Sequence, residues 1–418
     1  MASFGDGLSA VDSPADLVEA GERAALRALE ALDGDAPDLV CLFVTTTDPD
    51  LVAPVAERVT EICEAGILIG CGAAGVIGGG SAVDARPAVS VWAAGLPGTV
   101  LSGFHLDTVR TPDSVAVLGM PETEPDTRAA LLLADPYTFP ADGFVARSNE
   151  LFPGLPIVGG LAVGGDTGAT TRLVLDTDVY DSGAVGLLIG GQDEASEGSV
   201  QVRTVVSQGC RPIGPPMVVT RSAENVLLEL AGTPALTKLE QIVAGLPPAE
   251  RVLAAQGLHI GIVMDEYAEE HENGDFLVRQ VLGVDTTTSG VVVGDVIEVG
   301  QAVRFHVRDA QAADEELRRS LTDFRTSGGL TRVDGALLFS CNGRAGQLFE
   351  TVDHDVRAVR HGLVTDRVAG FFAAGEIGPV AGRNHVHGFT ASILAFGPAA
   401  GTGQGFGARP ATNRGNHG

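Results

Sequence analysis

One pattern recurs three times along this chain and limits what it can fold into. A short, wholly apolar run is followed by a helical segment, a glycine-rich run and another strand. The glycine-rich runs are IGCGAAGVIGG, VGGLAVGGDTG and AGFFAAGEIGP, and each contains G-x-x-A-x-G. Continuous apolar runs of this length suit strands buried on both faces, as in α/β sheets covered by helices. The recurrence predicts duplicated α/β units, with spacings too unequal for a solenoid. The glycines are read as close packing of helix against strand. IGCGAAGVIGG lacks both GxGxxG and a GK[ST] ending, so neither phosphate-binding motif is present.

The first set reads as a helix over 16–33, capped by Asp12 or Ser13 with Pro14 leading it, then the strand DLVCLFVTTT. The helix DPDLVAPVAERVTEICEAG and the strand RPAVSVWAAG complete it. The second set is AALLLADPYTF (strand), ADGFVARSNELFP (helix) and TRLVLDT (strand). The third is GALLFSCNGR, a helix around Leu348 to Arg360, and the strand HGFTASILAF. Between them, SVQVRTVVSQGCRPIGPPMVVTRS reads as two extended segments joined by a Gly/Pro-rich turn, and ENVLLELAGTPALTKLEQIV as helix. LHIGIVMDEY, FLVRQVLGVDT and VGQAVRFHVRD read as strands.

The fold class is therefore α/β: two domains built from related strand–helix–Gly-rich-loop–strand units around mixed β-sheets. The acidic loop GGQDEASEG (190–198) is passed over as a boundary because its flanking strands can form one hairpin. A break near 221–225 gives domains over 30–222 and 223–398. The tail, 399–418, is poor in large apolar groups and is expected to be disordered.

Charge narrows the partners. Lysine plus arginine number 27 against 54 aspartates and glutamates, a net charge of −27. Phosphate backbones and anionic lipid repel such a chain, so nucleic acid and membrane are excluded as partners. MASFGDGLSAVDSP carries no basic stretch followed by an apolar run, and AGILIGCGAAGVIGGG is too short and glycine-rich to span a bilayer. Cys41, Cys63, Cys71, Cys210 and Cys341 are scattered without a CxxC pair, which predicts a reducing cytoplasm and no disulfide framework or structural zinc.

QGCRPIGPPMVVTRS, SCNGR and GFFAAGEIGP, in this order and with the early IGCGAAGVIGG, resemble the FIST family over residues 35–398. The resemblance implies a FIST amino-terminal domain followed by a smaller carboxy-terminal one, forming a sensory module that binds a small ligand. Amino acids are the proposed ligands. Some relatives bind haem and report nitric oxide to signalling kinases. No space remains here for a kinase, cyclase or F-box domain, so output would pass to a separate protein partner; a homo-oligomer is also allowed.

SCNGR sits where a buried strand ends, the place where open α/β sheets present ligand loops. Cys341 ends the strand, Gly343 permits a tight turn, and Arg344 is expected to project beyond it and hold an anionic group, with Cys341 or Asn342 touching the ligand. The same residue types allow Arg344 to pair with a structural carboxylate. Gly375 and Glu376 in GEIGP place a carboxylate in close-approaching backbone, suited to an ammonium or to loop N–H groups. Arg344 with Glu376 would match the two charges of a free amino acid, or pair with each other. Cys210, Arg211 and Gly214 in QGCRPIG are read as a turn forming a second wall of the pocket.

A different chemistry makes Cys341 a nucleophile with His385 or His387 as base, although no His–Asp arrangement is readable. The catalytic set is therefore empty unless the chain is a cysteine enzyme. His385 and His387, at i and i+2 in NHVHGF, point the same way on a strand and are weak metal candidates. No CxxCH motif marks covalent haem, and no residue is identified as an iron ligand.

Overall fold

A computed structural model describes residues 1–399 except 33, 35, 113, 165–170, 192–199 and 265–275. Most of the acidic loop 190–198, the tail beyond 399, His271 and His417 lie outside the described residues. The helices are α1 (Leu17–Leu29), α2 (Val52–Cys63), α3 (Ala141–Leu151), α4 (Ala235–Gly245), α5 (Pro248–Gln256), α6 (Ala310–Thr326) and α7 (His354–Leu363).

The recurring unit is real and has a fixed plan. In the first unit, Leu39–Thr45 and Ile67–Gly72 pair in parallel around α2, a hairpin (Gly75–Gly78, Ser81–Asp84) follows, and Ala88–Gly95 returns antiparallel beside Leu39–Thr45. The second repeats this with Ala129–Ala134, α3, Ile157–Leu161, the hairpin Leu173–Leu175/Asp178–Tyr180, and Ala184–Gly191. The third does so with Gly335–Cys341, α7, Val368–Ala373, the hairpin Glu376–Val380/Arg383–His387, and Ala391–Pro398. A further antiparallel strand joins each returning strand: Ser3–Ala10, Thr99–Arg110 and Val200–Ser207.

The hairpins are exchanged in a closed cycle. The first unit's hairpin extends the third sheet (Val76 opposite Phe371), the second's extends the first (Leu173 opposite Cys71), and the third's extends the second (Glu376 opposite Gly160). Strands on either side of residue 222 thus share sheets. Inner faces of all three sheets meet in one core, where Phe43, Leu131 and Phe339 lie together with Trp92, Phe371 and Phe396. Helices cover the outer faces, α1 and α2 over the first sheet and α6 and α7 over the third. One glycine recurs for one reason. Gly70, Gly159 and Gly370 each lie opposite a leucine of the parallel neighbour, and a Cβ there would stand 2.2, 1.9 and 1.7 Å from the Leu42, Leu132 and Leu338 carbonyl oxygens.

Between Val200–Ser207 and α6 the chain inserts an antiparallel sheet of Cys210–Ala223, Val226–Leu230, Leu258–Val263, Phe276–Asp285, Gly290–Val293 and Ala302–Arg308. Cys210–Ala223 also pairs with Val226–Leu230, which closes the sheet into a barrel filled by Val219, Leu230, Ile260, Phe305 and their neighbours and flanked by α4 and α5.

Three expectations need correcting. QGCRPIG is no turn: Cys210–Ala223 is one long strand, and the Gly/Pro stretch is a register shift within it, between Ile213 and Met217. Proline lacks the N–H a regular ladder needs, so the strand bulges there instead of turning back. ENVLLELAGTPALTKLEQIV is half strand, because Ala231 and Gly232 take left-handed turn conformations between Val226–Leu230 and α4. The helix expected from Leu348 begins at His354, since Asp353 is committed to the first unit's hairpin, accepting from Ser81 Oγ at 2.9 Å and Ala82 N at 2.7 Å.

Candidate functional site

The parallel strands Gly335–Cys341 and Val368–Ala373 end side by side, and Asn342 N donates to Ala373 O at 2.9 Å. The chain then turns, with Arg344 N donating to Cys341 O at 2.9 Å. The exchanged hairpin of the first unit brings Ala74, Gly75 and Asp84 to this end, and the barrel brings Arg308. Together with Asn342, Gly343, Ala345, Gln347, Phe372 and Phe389 they line a cleft of about 390 Å³. The carboxyl ends of parallel strands are where α/β sheets place ligands. Gly343 is needed here, because a Cβ would stand 2.8 Å from the Phe389 ring.

Arg308 and Asp84 give the cleft its charge. The Arg308 guanidinium lies 4.8 Å from the centre of the Phe389 ring and donates through Nη2 to Gln256 O at 3.3 Å. Neither Arg308 nor Asp84 has an ion-pair partner among the described residues.

Behind Gly343 and Phe389 lies a buried polar layer that holds Arg344, Glu376 and Cys341. Arg344 does not project. It is 1% exposed and grips Asp355 with both arms, Nε to Oδ2 at 2.7 Å and Nη2 to Oδ1 at 2.9 Å, while Nη1 donates to Phe389 O at 3.3 Å. Ser340 Oγ donates to Asp355 Oδ2 at 2.6 Å, and His354 bridges Asp355 and Asp314 at 2.9 Å each. Burial disfavours the Asp355 charge, but Arg344 and these donors outweigh it and hold the carboxyl well below the usual range.

Glu376 is equally hidden. Its Oε2 accepts from Thr390 N at 3.0 Å and Oγ1 at 2.8 Å, while Oε1 has no hydrogen-bond partner among the described residues. Burial pushes its pKa up to about 8 against the pull of Thr390, the Cys341 thiol and Arg344. Glu376 and Arg344 therefore do not frame a ligand, nor do they pair with each other. The Cys341 thiol is raised by burial and by Glu376. It is a protonated core group, which removes the physical basis for a nucleophile at this position.

Asn342 and Gly343 line the cleft; Gly375 does not, its carbonyl accepting from Leu161 N at 2.8 Å. Cys210 opens its strand opposite Arg308 and is buried against the same seam. Arg211 turns away to Asp309 (2.9 Å) and Glu250 (3.5 Å), where it braces the residue that caps α6. Gly214 sits in the bulge against Ile242 of α4, its carbonyl accepting from Arg304 Nε at 2.7 Å. Neither Arg211 nor Gly214 forms a wall of the cleft: alternation turns Arg211 away from the face of Cys210, and Gly214 lies farther along, at the bulge against α4.

Sequence reasoning missed Arg308, Asp84, Gln347 and Phe389. One signal was present: His306 and Arg308 alternate with apolar Phe305 and Val307, which marks the barrel face that meets the strand ends. On that face His259 is buried edge-on against Phe389, ring centres 4.5 Å apart, and neither of its ring nitrogens has a partner. His385 and His387 lie with ring centres 5.8 Å apart, and His387 Nε2 is taken up by Gly378 O at 2.9 Å. Among the described residues no three histidine, cysteine or acidic side chains gather to hold a metal. No histidine or cysteine lines the cleft, so the residues there do not fit a haem with a protein axial ligand. Among the described residues no helix is long and apolar enough to cross a membrane.

Comparison with known proteins finds two family matches that together span most of the chain. The FIST N domain matches residues 38–233 and the FIST C domain residues 235–379. The uncharacterized protein Rv0628c of Mycobacterium tuberculosis strain H37Rv is 42% identical over 387 residues, covering 92% of this chain and 98% of its own length. The uncharacterized protein Mb0898c of Mycobacterium bovis is 41% identical over 382 residues, covering 91% and 96%.

Proposed function

The chain belongs to the FIST family, whose domains are generally regarded as sensory and ligand-binding, and from that premise we propose that it binds a small zwitterion such as a free amino acid in the seam cleft. One observation carries the reading: Arg308 and Asp84, opposite charges without ion-pair partners among the described residues, border the same cleft. The guanidinium fork suits a carboxylate, the aspartate suits an ammonium, and Phe389 offers an apolar face to a side chain. Arg308 and Asp84 take the roles expected of Arg344 and Glu376, which are spent on the buried layer.

The ligand would touch the barrel through Arg308 and the three-sheet body through Asp84 and Asn342. Binding that favours one placement of the barrel over another would change the surface offered to a separate signalling partner. Buried free thiols suit a reducing cytoplasm. The test is isothermal titration with the free amino acids, comparing wild type with Arg308→Met and Asp84→Asn. Saturable binding weakened about tenfold or more by each change is expected, since a lost charge-assisted contact is worth more than about 1.4 kcal/mol. No binding, or binding that both variants retain, overturns the reading.

A further inference from the structure

The three units differ in how their outer faces are covered, and the difference leaves a helix-sized gap. In the first unit α1 packs beside α2, its Gly21 against Val55 and Val59. In the third α6 packs beside α7, with Leu321 against Gly362. The second unit has α3 alone. Where its sister helix would come in sequence, before Ala129–Ala134, the chain runs instead as a short edge strand, Val115–Leu118, and an irregular segment over 119–128.

A groove of about 380 Å³ lies between this segment and α3. Its walls are Val115, Val117 and Met120 on one side and Phe144, Ser148 and Leu151 on the other. Phe144, Ser148 and Leu151 fall at i, i+4 and i+7, the spacing at which a helix meets a helix; Val55 and Val59 of α2 receive α1 in the same way. Leu151 is 56% exposed and Val115 46%. An adjoining cavity of about 340 Å³ carries the groove on past Glu124, Thr127 and Phe152. Glu124 lines this cavity and Glu122 and Asp126, beside it in sequence, are exposed, none with an ion-pair partner among the described residues, whereas Arg147 in the groove is paired with Glu150.

We propose that the groove beside α3 is a docking site for an amphipathic helix of a partner protein, with an apolar stripe on Phe144 and Leu151 and a basic flank against Glu122, Glu124 and Asp126. Helix-in-groove recognition uses this spacing of anchors. A second copy of the chain is a poor occupant. The apolar stripes of α1, α2, α6 and α7 are already buried, and a net charge of −27 brings like charge to an acidic wall, α3 of a second copy included.

The probe is a fluorescein-labelled peptide of residues 14–32, which carries the α1 stripe, with Glu19→Lys, Glu22→Lys and Glu30→Lys to make its flank basic. Anisotropy with the full chain should show saturable binding that weakens with salt. Leu151→Glu, at an exposed position that leaves the fold intact by its unchanged melting temperature, should weaken it about tenfold or more. The triple change Glu122→Gln, Glu124→Gln and Asp126→Asn should do the same. No saturable binding to wild type, or binding that Leu151→Glu leaves intact, overturns the proposal. So does a wild-type dimer in sedimentation that Leu151→Glu dissolves, which would give the groove to a second copy.

Discussion

Arg344 and Asp355 form a two-armed ion pair sealed from water, their side chains 0% and 4% exposed. Breaking one side of such a pair is far costlier than removing both, because the survivor is left charged without a partner. Arg344→Met should therefore lower the unfolding free energy by about 3–5 kcal/mol, and Arg344→Met with Asp355→Leu should recover most of it. Urea denaturation of the single and double variants measures this. A single variant as stable as wild type would mean that the pair is hydrated in solution.

Glu376 makes stability fall as pH rises near neutrality. An unfolded glutamate loses its proton near its ordinary value of 4.5, whereas the folded one keeps it to about 8. Between these limits the folded state binds more protons, so stability declines with pH, by at most about 1.4 kcal/mol per pH unit for one group. His259, His306, His385 and His387 are pushed down to about 4, 4, 4 and 3 from 6.5, so they add a slope of opposite sign that is still felt at pH 7 and has faded by pH 8. Glu316, at about 7, contributes chiefly at the lower edge. Glu376→Gln should flatten the fall between pH 7 and 8; an unchanged slope would show that the folded carboxyl is already ionised.

The three-unit plan was legible because apolar runs and glycine spacing are set locally, by burial on both faces and by a backbone that approaches the next strand. The cap was readable in part for the same local reason: of Asp12 and Ser13 it is Ser13 that accepts from Ala15 N, but it caps the 3-10 turn Pro14–Asp16 that leads into α1, not α1 itself. The hairpin exchange was not, since no residue in Gly75–Gly78 records that its partner is Phe371, almost three hundred positions away. Helix α6 escaped notice although Asp309 caps it, accepting from Ala312 N at 3.1 Å, because its exposed face is crowded with charges. In the site, residue types pointed to the right strand ends but not to the side each chain faces. Arg344 and Glu376 look like ligand groups in one dimension and are core groups in three, while Arg308 and Asp84 gain their role only when the barrel and an exchanged hairpin meet.

The cysteines should be chemically silent in the native protein. All five are buried, and burial raises the thiols at Cys41, Cys63, Cys71, Cys210 and Cys341. Ellman's reagent at pH 8 should find no thiol that reacts within seconds, and five after guanidinium is added, because the thiolate is the reactive form. One fast thiol that disappears in Cys341→Ala would restore the nucleophile reading.

The glycine shared by the three units should be intolerant in a way other glycines are not. At Gly370 an added methyl would lie 1.7 Å from the Leu338 carbonyl oxygen, and its strand is paired on both sides, which limits relief. Parallel strands at the centre of a sheet cannot part without breaking their ladder, so Gly370→Ala should cost about 3 kcal/mol or more, the upper end for overpacking. Gly143, inside α3, is the control, because a methyl added there would meet no atom within 4 Å. Gly143→Ala should raise stability by about 0.5–1 kcal/mol through helix propensity alone. Thermal melts of the two variants separate the causes: a shared loss would implicate glycine's general flexibility, whereas opposite signs tie the recurring glycine to the approach of strand to strand.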